Sequence, residues 1–224
     1  MDYLALIFDL DDTLIDFSGG MNNCLNKLHV QFFSTHPIEE YKRAFKKIND
    51  AMWELVDNEK IRPQDVKTER FRKLAEHLSL DFDHELVADI YEEMLGQEAH
   101  WLPGVKETLI KLKEKHKIGV ITNGFGDMQT KKRDLMGLKD ICSCFVVSGH
   151  VGFAKPNKAI FDIALKELDV APSRALMVGD RLGCDYQGAL NAGLDFCWVN
   201  PNKEKLPVHF PEPKFVVSSV VELI

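Results

Sequence analysis

The sequence predicts an α/β protein: a Rossmann-like parallel sheet with helices on both faces, carrying a small all-helical cap inserted after the first strand. Three observations predict it. Residues 4–8 (LALIF) form a continuous apolar run, which suits a strand buried on both faces. Residues 16–98 are rich in helix formers and charge and poor in β-branched clusters. From Trp101 onward, short β-rich runs alternate with helical patterns, as in a parallel sheet with right-handed crossovers. The domains expected are an α/β core of residues 1–15 and 99–224 and a cap of residues 16–98.

The elements follow in order. After the first strand, Gly19-Gly20 read either as a flexible entrance between core and cap or as an ordinary turn. In the cap, Tyr41, Phe45, Ile48 and Met52 recur at helical spacing. So do Phe71, Leu74 and Leu78, and then Leu86, Ile90 and Met94. Pro37 and Pro63 fall near helix starts. Pro103-Gly104 precede a helix carrying Val105, Leu109 and Leu112. Residues 118–122 read as a strand, and Asn123-Gly124-Phe125-Gly126 as a polar turn into another helix. Residues 144–147 are the next strand. Pro156 opens a helix with Ile160, Phe161, Ala164, Leu165 and Leu168. Residues 175–178 are a strand, 186–192 a small-residue helix, and 196–199 and 215–217 two further strands.

Composition narrows the function. The 224 residues can bury a sizeable core without disulfide or metal staples. Thirty-five acidic against 28 basic residues leave a net charge of −7, which argues against a nucleic-acid polymer as partner. A small phosphorylated substrate needs only a local positive site. The run at 4–8 ends at Asp9, too short for a membrane span or signal core, so no membrane is expected. Cys24, Cys142, Cys144, Cys184 and Cys197 make an odd count, which favours free thiols and a cytoplasmic location. Cys142 and Cys144 are one residue apart, so they form neither a redox CxxC pair nor a zinc knuckle, and at least one reads as a core residue. No GxxxxGK[ST] loop or GxSxG elbow is present. Gly124-Phe125-Gly126 begins like a dinucleotide fingerprint, but Gln129 stands in place of the third glycine.

Ligands of an open α/β sheet bind beyond the carboxyl ends of its strands. There the sequence places Asp9-Leu10-Asp11-Asp12-Thr13, Thr122-Asn123-Gly124, and Gly179-Asp180 with Asp185. Any one such Asp is as readily a cap or turn residue. Together, Asp9, Asp11, Asp180 and Asp185 would gather several carboxylates at one sheet edge. Such a cluster repels itself and calls for a cation, and oxygen-only ligands select Mg²⁺. Thr122, Asn123 and Lys155 add hydroxyl, amide and ammonium groups suited to a phosphate beside the metal.

These motifs, in this order, resemble the haloacid dehalogenase superfamily phosphohydrolases with an inserted helical cap. Asp9-Leu10-Asp11-Asp12-Thr13 matches the first motif, Thr122-Asn123-Gly124 the second, Lys155-Pro156 the third, and Gly179-Asp180 with Asp185 the fourth. The nearer resemblance is to the pyrimidine-preferring 5′-nucleotidases, carried by Ile121-Thr122-Asn123-Gly124-Phe125, by residues 151–161 and by residues 188–199. In the cap, Asn49-Asp50-Ala51-Met52-Trp53 is also similar.

The resemblance implies a Mg²⁺-dependent phosphatase that works through an aspartyl-phosphate. It implies Asp9 as nucleophile and Asp11 as proton donor and acceptor, with the Asp11 backbone carbonyl on the metal. Asp9 and Asp180 would hold Mg²⁺. Asp185 would bind it directly, bind it through water, or orient a ligand. Lys155 would bridge Asp9 and the phosphoryl group, while Thr122 and backbone N–H groups near Asn123 hold its oxygens. Thr13 reads as support for the first loop or as a cap. Arg181 stands where relatives often carry Ser or Thr; it contacts a substrate anion or the cap, or is salt-bridged. Asn49 could read a base edge, and Trp53 either stacks on a ring or is plain core. The expected substrate is a nucleoside monophosphate. The alternatives are a sugar-phosphate or N-acylneuraminate-phosphate phosphatase, a phosphomutase, or a non-catalytic regulatory protein. A monomer or homodimer is expected.

Overall fold

The structure, a computed structural model, describes residues 2–58 and 60–224. Six strands form one sheet: β1 (Ala5–Phe8), β2 (Lys117–Thr122), β3 (Cys144–Val147), β4 (Ala175–Gly179), β5 (Asp195–Val199) and β6 (Phe215–Val217). All pairings are parallel and the order across the sheet is β3-β2-β1-β4-β5-β6. The order reverses between β1 and β4, so the crevice at their carboxyl ends is where a ligand site belongs.

Every residue of β1 is buried. Leu6 and Phe8 enter one core layer with Leu109, Val120, Leu176 and Val178. Ala5 and Ile7 enter the opposite layer with Phe161, Met177 and Phe196. Helices account for both layers. α5 (Val105–Lys113) brings Val105, Leu109 and Leu112 to the first. α8 (Lys158–Leu168) brings Ile160, Phe161, Ala164, Leu165 and Leu168 to the second. A strand covered on both faces has no polar side to present, which explains the unbroken run at 4–8.

Between β1 and α5 lie α1 (Phe17–Leu28), α2 (Ile38–Asp57), α3 (Pro63–Leu78) and α4 (His84–Gln97). They pack around a core of their own that includes Phe33, Tyr41, Phe45, Phe71, Leu74 and Tyr91. Pro63 is the first residue of α3, and Asp83 caps α4 by accepting from the Glu85 and Leu86 N–H groups. The expected period of α4 is right but its buried face is displaced by one residue. Val87, Ala88, Tyr91 and Leu95 are buried, whereas Leu86 is 50% exposed. Both stripes keep helical spacing, and the aromatic Tyr91 wins the core side against Phe45 and Phe71.

Gly19 and Gly20 lie in the first turn of α1, not in a flexible turn. A Cβ on Gly20 would stand 2.5 Å from the Glu98 carbonyl oxygen, so the glycine permits close approach of the chain leaving the cap. The cap core is continuous with Phe125 and with Met128 of α6 (Gly126–Leu135), which together seat it on the sheet domain.

All five cysteines are free. Burial pushes the Cys142 and Cys144 thiols up to about 12, in keeping with core residues. Among the described residues, no helix is long and apolar enough to cross a membrane.

Candidate active site

Asp9 follows β1 directly, and its N–H donates to the Val178 carbonyl on β4 at 2.9 Å. Asp180 follows β4. Asp185 lies in the π-helical turn Leu182–Tyr186 that leads into α9 (Gln187–Ala192). That turn folds back over Gly179, where a Cβ would stand 2.4 Å from Asp185 Oδ2. Lys155 enters from the loop between α7 (Ser148–Val151) and α8. Its ammonium is 1% exposed. It donates to Asp9 Oδ1 and to the Ile121 carbonyl at 2.9 Å, and it pairs with Asp185 Oδ1 at 2.7 Å.

Two carboxylates, Asp9 and Asp185, contact this ammonium, and Asp180 lies beside them. Asp9, Asp180 and Asp185 each offer an oxygen within 4.8 Å of the others. Burial pushes the Asp9 carboxyl well above the usual range against the pull of Lys155, and Asp185 and Asp180 add to the rise. Burial, with Asp185 beside it, pushes Asp180 up to about 7. Burial disfavours the Lys155 charge, but Asp185 and Asp9 outweigh it and hold the ammonium firmly protonated. An all-oxygen set with more negative than positive charge fits a hard divalent cation. Both Asp185 oxygens already have partners, Lys155 on Oδ1 and the Arg181 N–H on Oδ2 at 3.0 Å. The Thr13 hydroxyl donates to Asp180 Oδ1 at 3.0 Å, so Thr13 orients a candidate metal ligand.

The other expected residues lie close by in distinct settings. The Asp11 carboxylate is outside that trio. Its Oδ1 accepts from Lys132 Nζ at 2.7 Å and its Oδ2 from Gln129 Nε2 at 2.9 Å. The Thr122 hydroxyl is buried and accepts from the same Gln129 amide at 2.5 Å. The Asn123 side chain is spent on Lys155. It accepts from the Lys155 N–H and donates to the Lys155 carbonyl, each at 2.8 Å. Asn123 therefore sets the loop that presents the lysine, and only its backbone is left to face a phosphate. The Gly124 N–H donates to Ser148 Oγ at 3.0 Å.

Above the cluster lies a cavity of about 300 Å³. Asp9, Asp180, Lys155 and Asn123 form its floor; Asn49, Trp53 and Arg70 from the cap form its roof. Trp53 is half-buried and its ring lies 6.1 Å from that of Phe125, tilted by 51°. Arg181 lines the cavity and forms an ion pair with Asp57 of α2, so it ties core to cap. Sequence reasoning missed Gln129, Lys132, Ser148, Asp57 and Arg70. Three of these left a signal. Gln129 and Lys132, three apart on α6, are fully buried polar residues on one helix face. Arg70 interrupts the buried stripe Val66, Leu74, Leu78 at its four-residue spacing.

The fold and the strand-end carboxylates define a hydrolase of one superfamily. Residues 6–199 match the haloacid dehalogenase-like hydrolases, and the chain belongs to that family. It is 32% identical over 219 residues to the pyrimidine 5′-nucleotidase YjjG of Escherichia coli K12, covering 97% of this chain and 95% of that protein. It is 30% identical over 204 residues to the pyrimidine 5′-nucleotidase PynA of Streptococcus pneumoniae, covering 90% and 86%. The magnesium-bound structure of the HAD-hydrolase YfnB of Bacillus subtilis superposes with a TM-score of 0.90 at 27% identity, covering 100% of this chain and 97% of YfnB.

Proposed function

We propose that the chain is a Mg²⁺-dependent phosphatase of small phosphate monoesters, with pyrimidine nucleoside monophosphates as its favoured substrates. The observation that carries this reading is the cluster of Asp9, Asp180 and Asp185, with Lys155 paired to Asp9 and Asp185, at a cavity roofed by the cap. That YjjG and PynA are pyrimidine 5′-nucleotidases supports the substrate class.

Asp9 is the nucleophile. Lys155 engages its Oδ1 and leaves Oδ2 to attack phosphorus in line. The phosphorus–oxygen bond to the leaving group breaks, its electron pair goes to the leaving oxygen, and Asp11 gives that oxygen a proton. Asp11 reaches it by turning from Lys132 and Gln129. Water then attacks the aspartyl-phosphate and passes a proton to Asp11, which frees inorganic phosphate and restores the Asp9 carboxylate. A proton donor at residue 11 favours an ester over a halide, because halide leaves without a proton. Lys155 counters charge on the phosphoryl oxygens, with the Thr122 hydroxyl and backbone N–H groups near Asn123 as further donors. Mg²⁺, held by Asp9, Asp180, the Asp11 carbonyl, and Asp185 directly or through water, would neutralise the encounter of carboxylate with phosphate. We place this activity in the cytoplasm, in a monomer or homodimer.

A phosphate-release panel with and without Mg²⁺ tests the reading. Pyrimidine nucleotides should turn over fastest, and chelation should abolish release. Equal or faster release from sugar phosphates would remove the nucleotidase reading. Isomerisation of a sugar phosphate without phosphate release would replace it with a mutase.

A further inference from the structure

Arg70 is a cationic side chain with unfinished hydrogen bonding in the roof of the cavity. It is 3% exposed, among the aromatic rings of Phe45, Phe71, Tyr91 and Phe125, with its guanidinium carbon 4.6 Å from the Tyr91 centroid. Its Nη1 donates to Asn49 Oδ1 at 3.2 Å. Its Nε and Nη2 have no hydrogen-bond partner. Glu92 Oε1 lies 3.7 Å from Nη2, near enough to balance charge but beyond hydrogen-bond reach. Glu92 Oε1 is likewise without a hydrogen-bond partner, so the guanidinium is anchored from behind by charge while its Nη1 fixes the Asn49 amide.

The chemistry of a ligand under the roof follows from this arrangement. A guanidinium has no acceptor, so the Asn49 amide must turn its oxygen to Arg70, which leaves Nδ2 as the amide's remaining donor. Asn49 and Arg70 both line the cavity, and its far end therefore presents the Asn49 Nδ2 donor, held in that orientation by Arg70. Beside it the wall is apolar, with Phe17, Met21, Trp53, Leu95, Phe125 and Met128. A flat ring with carbonyl oxygens on its rim fits aromatic walls and a donor end together. A polyhydroxylated sugar acid would satisfy the donor with its carboxylate but would strand its hydroxyls against those walls. The volume, about 300 Å³, is at the small end for ligand sites.

We propose that Asn49 and Arg70 form the specificity-determining pair of the cap, with Arg70 fixing the amide by which Asn49 reads the carbonyl edge of a pyrimidine base in the leaving nucleoside. This rests on the phosphatase reading above, with the phosphate on the Asp9 floor and the base under the roof.

The test measures kcat/KM for UMP, ribose 5-phosphate and N-acetylneuraminate 9-phosphate in the wild-type enzyme and in Arg70→Met and Asn49→Asp. Ribose 5-phosphate lacks the base but keeps the ester. Asn49→Asp retains an acceptor for Arg70 and replaces the outward donor with an acceptor, so it remains informative if Arg70→Met fails to fold. The expected result is a wild-type preference for UMP over ribose 5-phosphate that falls by about ten- to a hundredfold in each folded variant. An unchanged ratio, with both substrates slowed alike, would make the pair structural and overturn this inference while leaving the nucleotidase reading intact. A wild-type enzyme with no preference for UMP would overturn both. If N-acetylneuraminate 9-phosphate were the best substrate and lost its advantage in the variants, the pair would be a carboxylate reader and the pyrimidine assignment would fall.

Discussion

Lys155 decides whether the carboxylate cluster can exist in a folded chain. Its ammonium touches Asp9 and Asp185 where water does not reach. Replacing it with Met removes the ammonium between Asp9 and Asp185 and leaves buried charges unpaired. Urea unfolding at neutral pH without divalent cation should show a loss of about 3–5 kcal/mol for Lys155→Met. The acids predict a pH effect of definite sign. The Asp180 carboxyl is raised in the fold to about 7, above its unfolded value. Such a group contributes stability below its unfolded pKa and loses that contribution as pH rises through about 7. The cation-free protein should therefore melt at lower temperature near pH 8 than near pH 5. Added Mg²⁺ should raise the melting temperature more at pH 8, and differential scanning calorimetry checks both. A larger Mg²⁺ effect at pH 5 would contradict the assignment of Asp180 to the cation site.

At the scale of elements, the strands and the carboxylates that follow them were legible in the sequence because each is a local pattern. The run at 4–8 with Asp9 after it, or 175–178 with Asp180, needs only its own neighbours to be read. What was not legible depends on approach between distant segments. Nothing near Asn123 announces that its amide clasps the Lys155 backbone, and nothing near Asp11 announces Lys132 and Gln129. The buried face of α4 escaped for the same reason, since two helical stripes were available and the packing of Tyr91 chose between them. Two substitutions test these contacts. Gly179→Ala puts a methyl group against the Asp185 carboxylate and should weaken Mg²⁺ affinity, read by calorimetric titration, with about 1–3 kcal/mol of stability lost. Lys132→Met releases the Asp11 carboxylate from its ammonium. It should lower kcat by about tenfold with KM little changed, as expected of a positioning residue for a proton carrier.

Over the whole molecule, one cavity lies between the sheet domain, whose core has a layer on each face of the sheet, and the cap, whose core takes in Phe125 and Met128. On the proposed reading, the sheet domain would hold the reacting phosphate and its charge balance, and the cap would supply the groups that meet the leaving part. Seams hold them together: the Arg181–Asp57 ion pair, the Lys131–Glu93 ion pair, and Phe125 with Met128 seated in the cap core. Arg181→Gln cuts the first seam and keeps the backbone N–H that serves Asp185. It should raise KM by about two- to fivefold with a smaller change in kcat, and added salt should produce the same shift in the wild type. The net charge of −7 misdescribes this interior, where one cation and Lys155 would turn a carboxylate cluster into an anion site. Asp9 is the proposed phosphoryl acceptor at this site. This role is tested most directly by phosphate release from UMP with Mg²⁺, comparing wild type with a folded Asp9→Asn protein. The expected result is a loss of about a thousandfold or more with the melting temperature retained; release at a rate near that of the wild type would rule out Asp9 as the nucleophile.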